Sequence, residues 1–390
     1  MSLNRGSKIA LISIDYPPLC TSAAVQMRDL AQELVNQGYN PLVITPCSDI
    51  DVPWKSEVLD GVRVLRLAAQ KTRDVGYIRR TIVELLLPFL MYYRLRKSPF
   101  HKVRWDLVVW YSPTIFFGPL VGMLKLHSKC KTYLILRDIF PEWALDLGLL
   151  RKGVPYYFFK MFANLQYAIA DTIGIQSPSN ILYLSHWVKK SEKKVEVLQN
   201  WLSPAPNIGT SINLSETILS GKKIMIYIGN MGIAQGMDIF IDLAENLQDR
   251  TDIGFLFVGR GSETLRLKET IKKKKIKNTL FFDEVDSSEM PGLLSQCHVG
   301  LLTLDPRHKT HNIPGKFLTY LFAGLPVLAR VNPGTDLAHI INSECVGFAY
   351  EGALMAPMRK FIEDILADQK NYKKFAAKAK KLSSCMFSTS

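Results

Sequence analysis

Residues 224–244 read IMIYIGNMGIAQGMDIFIDLA. An apolar run of strand length, Ile224 to Ile228, stops at Gly229, and a loop with Gly232 and Gly236 leads into a helical pattern. Strand, glycine loop and helix in that order open a parallel α/β unit. Glycines in such a loop let backbone N–H groups approach a phosphate, which a helix N-terminus also favours. Many tight strand-to-helix turns are glycine-rich for steric reasons alone, so the loop by itself leaves both readings open.

The alternation runs outward in both directions. Downstream, strands are expected at Ile253–Val258, Thr279–Phe282, Val299–Leu304, Pro326–Ala329 and Val346–Ala349, with a helix over Pro314–Ala323. Upstream, Lys8–Ile14 reads as a strand ending at the loop DYPPLCTS. The helix after it carries Met27, Leu30, Ala31, Leu34 and Val35 on one face and stops at Gly38, and Pro41–Thr45 is the next strand. Further strands fall at Leu107–Trp110, Thr132–Leu136, Thr172–Ile175 and Val195–Leu198. Between Asn200 and Gly221 the pattern lapses into WLSPAPNIGTSINLSETILSG, rich in Pro, Ser, Asn and Gly, as a linker would be. The expected fold class is α/β: two Rossmann-like doubly wound parallel-sheet domains, 1–200 and 222–390, joined by a linker over 201–221 and facing a central cleft. A chain of 390 residues suits two domains of nearly equal size.

Composition narrows the function classes. With 47% hydrophobic and 22% charged residues the chain has the apolar material for real cores. A net charge of +14 suits nucleic acid, anionic lipid or phosphorylated substrates alike. No basic motif interleaved with aromatics supports nucleic acid, and none is expected as a partner. The six cysteines show neither a C-x-x-C pair nor His/Cys ligand spacing, which argues against a disulfide framework or zinc site and for a reducing compartment. Met1–Ser7 is polar and KIALISI is of strand length, so no signal peptide is expected. The most apolar stretch, Ile82–Tyr93, is too short to span a membrane and has basic flanks: Arg79 and Arg80 before it, then Arg94, Arg96, Lys97, Lys102 and Arg104. It is either a helix lying in a membrane interface or a buried helix with snorkelling ends.

Two segments carry candidate chemistry. In HNIPGKFLTYLFAGLPVLA, residues 311–329, Pro314 suits the first turn of a helix and Gly324 its end. Lys316 falls in the first turn beside unpaired backbone donors, a ready site for a diphosphate; the other reading is a core helix with one solvated lysine. In RDIFPEWALDLGLL, residues 137–150, Asp138 follows a strand directly with Arg137 beside it, and Glu142 is a weaker second carboxylate. Asp138 could orient an acceptor hydroxyl or steady positive charge; as a loop carboxylate it could equally cap a helix or pair with Arg137. Asp49 and Asp51 imitate a metal-binding D-x-D but open an irregular loop, and no metal is expected. The isolated histidines, His298 among them, read as structural. The aromatic cluster Tyr156–Phe162 reads as core.

Taken together, YIGNMGIAQGMDIFIDLA, FLFVGRGSE, FFDEVDSSEMPGLLSQCHVGLLTL and PGKFLTYLFAGLPVLA resemble, in order and spacing, retaining glycosyltransferase family 4, which has the GT-B fold. The nearest likeness is to bacterial N-acetylfucosaminyltransferase-like enzymes of O-antigen and capsule synthesis. The first half adds the Pro17-Pro18 loop, AAVQMRDLAQELVNQGY, and an aspartate followed three residues later by proline, Asp138 and Pro141. The resemblance implies a second domain that binds a nucleotide-sugar, UDP-linked by default, and a first domain that binds the acceptor. Gly229, Asn230, Gly232, Gln235, Pro314 and Gly315 would hold the diphosphate, with Gly259, Arg260, Phe282 and Val285 near the nucleotide. Lys316 would stabilise the leaving diphosphate. The family's two glutamates, eight apart, fall at His311 and Thr319 here, and Thr319 is a shorter, neutral substitute for the ribose ligand. Many members place Arg and Lys where this chain has Asn230 and Gln235; Arg307, His308 or Lys309 could swing in to supply that charge. The implied enzyme is a retaining, metal-independent transferase without a cofactor. Its acceptor would be a polyprenyl-diphosphate-linked saccharide, and its place peripheral on the cytoplasmic face of the inner membrane, docked through residues 78–104. The chain ends at Ser390, where family members often continue into a helix crossing back to the first domain. A catalytically degenerate partner protein and a nucleotide-sugar epimerase are the alternatives.

Overall fold

The computed structural model describes residues 3–19, 21–72, 75–190, 193–203, 207–305, 307 and 313–388. The chain divides into two compact units, Met1–Gln199 and Asn200–Ser388.

The first unit runs β1 (Lys8–Ile12), α1 (Ser22–Asn36), β2 (Asn40–Cys47), β3 (Trp54–Leu59), β4 (Val62–Ala68), α2 (Tyr77–Arg96) and β5 (Leu107–Tyr111). It continues with α3 (Gly118–Ser128), β6 (Lys131–Leu136), α4 (Glu142–Asp146), α5 (Val154–Ile169), β7 (Thr172–Ile175), α6 (Ser185–Lys190) and β8 (Lys194–Val197). The sheet order is β3-β4-β2-β1-β5-β6-β7-β8, parallel except for β3 against β4. Central strands such as β1 bury four residues in a row, because helices cover both faces of the sheet. Helix α1 starts where the Thr21 side chain accepts from the Ala24 N–H at 3.2 Å. The β3–β4 hairpin lies outside the alternation read above. It turns on Asp60 and Gly61, both at positive φ, which a two-residue hairpin turn requires.

The second unit runs β9 (Lys223–Ile228), α7 (Asp238–Asn246), β10 (Ile253–Val258), α8 (Thr264–Lys274), β11 (Thr279–Phe282), α9 (Met290–Leu294) and β12 (Val299–Thr303). Then come α10 (Gly315–Ala323), β13 (Val327–Arg330), α11 (Asp336–Ser343), β14 (Gly347–Tyr350), α12 (Met355–Ala367) and α13 (Gln369–Met386). Its six parallel strands are ordered β11-β10-β9-β12-β13-β14, the doubly wound arrangement with its switch point between β9 and β12. The stretch read as a linker packs on this unit: Ile212, Leu214 and Leu219 are buried in its core, and the Gln296 side chain accepts from Leu214 N–H at 2.9 Å. Apolar residues spaced among its Ser and Asn give it that anchorage.

Helix α2 buries Leu87, Pro88, Met91 and Leu95 yet leaves Ile82, Leu86, Phe89 and Tyr93 exposed, so it is not a wholly buried helix. The aromatic cluster on α5 divides likewise. Phe158, Phe159 and Phe162 pack on the core, while Tyr157 and Met161 are exposed. Among the described residues Cys47, Cys130, Cys297, Cys345 and Cys385 are free thiols, and no helix is long and apolar enough to cross a membrane.

Candidate functional site

At the switch point of the second unit three strand ends meet. Gly229 follows β9 at φ +96, and Gly259 follows β10 at φ +139. A Cβ on Gly259 would sit 2.1 Å from the Gly229 carbonyl oxygen, and one on Gly261 would sit 2.3 Å from that of Met231. The two loops therefore touch backbone to backbone, and Met231 N–H donates to the Arg260 carbonyl at 2.8 Å. Gly236, at φ +58, lies against the Asp305 backbone after β12, where Asp305 N–H donates to the Ala234 carbonyl at 2.9 Å. These glycines are required by close approach.

Asn230 and Gln235 close on one another. The Asn230 amide donates to Gln235 Oε1 at 3.2 Å, and Gly232 N–H donates to the same oxygen at 3.0 Å. The two neutral side chains thus brace the loop. Arg307 pairs with Asp305 at 2.8 Å and holds that carboxyl below its usual range, so its charge is engaged beside the loop rather than extended over it. His308, Lys309 and His311 lie outside the described residues.

Helix α10 begins at Gly315, one residue later than its proline suggests; Pro314 is the extended residue before it, at ψ 143. Lys316 in the first turn reaches across the end of β9. Its Nζ donates to the Tyr227 hydroxyl at 2.5 Å and stands 3.8 Å from the centroid of that ring. Tyr227 in turn donates to the Asn230 carbonyl at 2.7 Å, which links lysine, strand end and loop. A Cβ at Gly229 would lie 4.0 Å from Lys316 Cε, so the lysine stem runs directly over the loop's first residue. Burial pushes the Lys316 ammonium down to about 7, and among the described residues no carboxylate opposes the shift. A buried amine at the N-terminal turn of a helix is placed where an approaching anion would restore its charge.

The remaining candidates divide. Arg260 is largely exposed and pairs with Glu284 at 2.8 Å. Phe282 and Val285 pack partly on the core, and the Phe282 carbonyl accepts from Gly259 N–H at 3.1 Å. Thr319 donates its hydroxyl to the Gly315 carbonyl one turn back, at 3.2 Å. Sequence reading passed over Tyr227, Asp305, Arg330 and Asn332, which gather at the same strand ends. Arg330 Nη1 donates to the Leu304 carbonyl at 3.2 Å, and the Asn332 amide to that of Asp305 at 3.0 Å. Their only sequence signal is position at the C-terminal ends of strands.

In the first unit Asp138 directly follows β6. Burial raises its carboxyl to about 6, against the opposing pull of Arg137. Arg137 is buried and directs its guanidinium at the Leu198 and Gln199 carbonyls, at 2.5 and 3.1 Å. Arg137 thus ties the ends of β6 and β8 together, and Asp138 makes no hydrogen bond or ion pair among the described residues. Glu142 is ion-paired with Lys160. Asp49 and Asp51 lie exposed beyond β2. His298 accepts from Ile224 N–H at 3.1 Å through Nδ1, a structural bond, and burial lowers it to about 4. Among the described residues no group of three or more His, Cys, Asp and Glu could hold a metal ion.

Residues 212–382 match the family Glycosyl transferases group 1. The chain is 24% identical over 371 residues to the putative colanic acid biosynthesis glycosyl transferase WcaI of Escherichia coli (strain K12), covering 86% of each. It is 24% identical over 241 residues to the probable glycosyltransferase WbjE of Pseudomonas aeruginosa, spanning 58% of this chain and little more than half, 57%, of that protein. Among solved structures, sucrose-phosphate synthase from Thermosynechococcus elongatus superposes with a TM-score of 0.73 at 16% identity, covering 98% of this chain and 95% of that one. Anabaena HepE in complex with UDP-glucose does so with 0.69 at 14%, covering 98% and 96%. Residues 212–382 are thus similar to the glycosyl transferases group 1 family, and the chain has the two-domain GT-B fold of its structural neighbours.

Proposed function

We propose that this chain transfers a sugar from a nucleotide-diphosphate sugar, with uridine as its base, to a polyprenyl-diphosphate-linked saccharide during surface polysaccharide synthesis. The observation that carries the donor half is Lys316, enclosed over Tyr227 in the first turn of α10 and depressed to about 7 by burial. Breaking a sugar–phosphate bond leaves negative charge on the departing diphosphate. A protonated Lys316 and the α10 N-terminus would stabilise that charge where it develops, and would supply what a metal supplies in other transferases. The Gly229–Gly236 loop would cradle the phosphates with backbone N–H groups. The uridine reading is supported by the UDP-glucose bound to HepE, and the pathway by WcaI's colanic acid assignment. Asp138, raised to about 6, would orient the acceptor hydroxyl. Retention follows if transfer occurs on the front face, with the leaving phosphate taking the acceptor's proton. The enzyme would work without a metal or cofactor, at the cytoplasmic face of the inner membrane.

The Thr319 hydroxyl, engaged with its own helix, favours one second reading: a catalytically degenerate partner protein that no longer grips ribose. Thermal stability against UDP, GDP, CDP and ADP, with Lys316→Ala as control, separates the two. A shift with UDP that disappears in the variant supports the transferase; no shift with any nucleotide supports the degenerate protein.

A further inference from the structure

We infer that the outer face of the α2–α3–α5 helix layer in the first unit is a docking surface for an anionic phospholipid bilayer. The inference rests on the proposed lipid-linked acceptor for its setting and deepens it by naming the surface. Helix α3 packs against both α2 and α5, so the three form one layer on one side of the sheet. A helix covering a sheet ordinarily turns polar residues outward. Here Ile78, Ile82, Leu86, Phe89 and Tyr93 recur every three or four residues along α2, each more than half exposed, opposite the buried Leu87, Met91 and Leu95. On α5 the exposed row is Val154, Tyr157, Met161 and Leu165, and Leu126 of α3 is 80% exposed. Rows of exposed apolar side chains on adjoining helices mark an interaction site rather than ordinary surface.

Charge identifies the occupant. The three helices contain one acidic residue, Glu84, and it is buried, accepting from Arg80 at 2.7 Å and from Thr114 at 2.7 Å. Exposed cations stand at both ends of α2: Arg79 and Arg80 at the start, Arg96 and Lys97 at the end, with Lys102 and Arg104 just beyond. Apolar side chains flanked by cations, with no exposed carboxylate on the three helices, match an interface of acyl chains and anionic headgroups. A second copy of the same face would bring like cations together, which disfavours self-pairing.

The test is co-sedimentation with vesicles of phosphatidylcholine alone and of phosphatidylcholine with phosphatidylglycerol. The chain should bind the anionic vesicles and bind the neutral ones poorly. Leu86→Asp with Phe89→Asp, and separately Tyr157→Asp with Met161→Asp, should each lower the partition coefficient about tenfold or more. Arg79→Glu with Arg96→Glu and Lys97→Glu should abolish the preference for anionic lipid. Failure of the unaltered chain to bind anionic vesicles, or equal binding by the aspartate variants, overturns the inference. A dimer in solution that these substitutions dissociate also overturns it, in favour of self-association. Circular dichroism checks that each variant is folded. The UDP-dependent thermal shift should persist in all of them, so its absence from the unaltered chain would count against the donor reading and leave the docking result standing.

Discussion

Lys316→Met should make the nucleotide-free protein more stable near pH 6 while removing its response to UDP. The Lys316 pKa of about 7 against an ordinary 10.5 means that the folded state carries the ammonium at a cost. At about 1.4 kcal/mol per pKa unit, the full shift corresponds to roughly 5 kcal/mol at most. Methionine keeps the length and apolar stem of the side chain. It gives up the contact with the Tyr227 ring, worth about 1 to 2 kcal/mol, and orphans no donor, since the Tyr227 hydroxyl keeps its Asn230 acceptor. A net gain of about 3 kcal/mol remains, a rise in Tm of several degrees for a unit of this size. The sign with pH is set by proton binding. Below about pH 7 the lysine is charged in both states and the variant keeps its whole advantage. Between about 7 and 10.5 the unfolded chain holds a proton that the folded chain has released, so the lysine protein gains stability and the variant's advantage shrinks by about 1.4 kcal/mol per pH unit. Melting curves at pH 6 and pH 9, with and without UDP, read all of this. A variant less stable than the parent at pH 6, or a difference that does not change with pH, would refute the burial argument.

Gly259→Ala should destabilise the second unit by about 3 kcal/mol or more, seen as a lower urea midpoint, because its Cβ would drive into the Gly229 carbonyl at positive φ. Tyr227→Phe removes both the acceptor for Lys316 and the donor to the loop, and calorimetry should show UDP affinity falling by about tenfold with the fold intact. Asp138→Asn should abolish sugar transfer and leave the UDP shift in place. Because its carboxyl is raised to about 6 in the folded state, the cost of its charge is present above that pH and absent below about 4. The Asn variant should therefore melt higher than the parent at pH 7.5 and equally at low pH.

Strand alternation and glycine loops made the doubly wound sheets legible, because parallel strands buried on both faces must be continuous apolar runs. The hairpin of β3 and β4 is less visible: its strands carry exposed residues such as Lys55 and Arg63, though Asp60-Gly61 is a local turn signal. Helix α10 and Lys316 could be found from Pro314, Gly324 and the apolar spacing between them. What no spacing announces is that Tyr227 lies under Lys316, 89 residues apart in sequence, or that burial there takes the lysine to about 7. Likewise Asn230 and Gln235 could be located but not shown to bond each other, and Arg137 could be placed beside Asp138 but not seen to donate to the Leu198 and Gln199 carbonyls just after β8. The apolar periodicity of α2 was visible on every side of the helix, yet which side the sheet covers depends on how α3 and α5 pack beside it. By itself, then, the sequence determined the local geometry: strands, turns and helix starts, which depend on neighbours along the chain. Burial, pKa and the outward face of a helix were decided only by the tertiary structure, since they depend on which distant atoms exclude water.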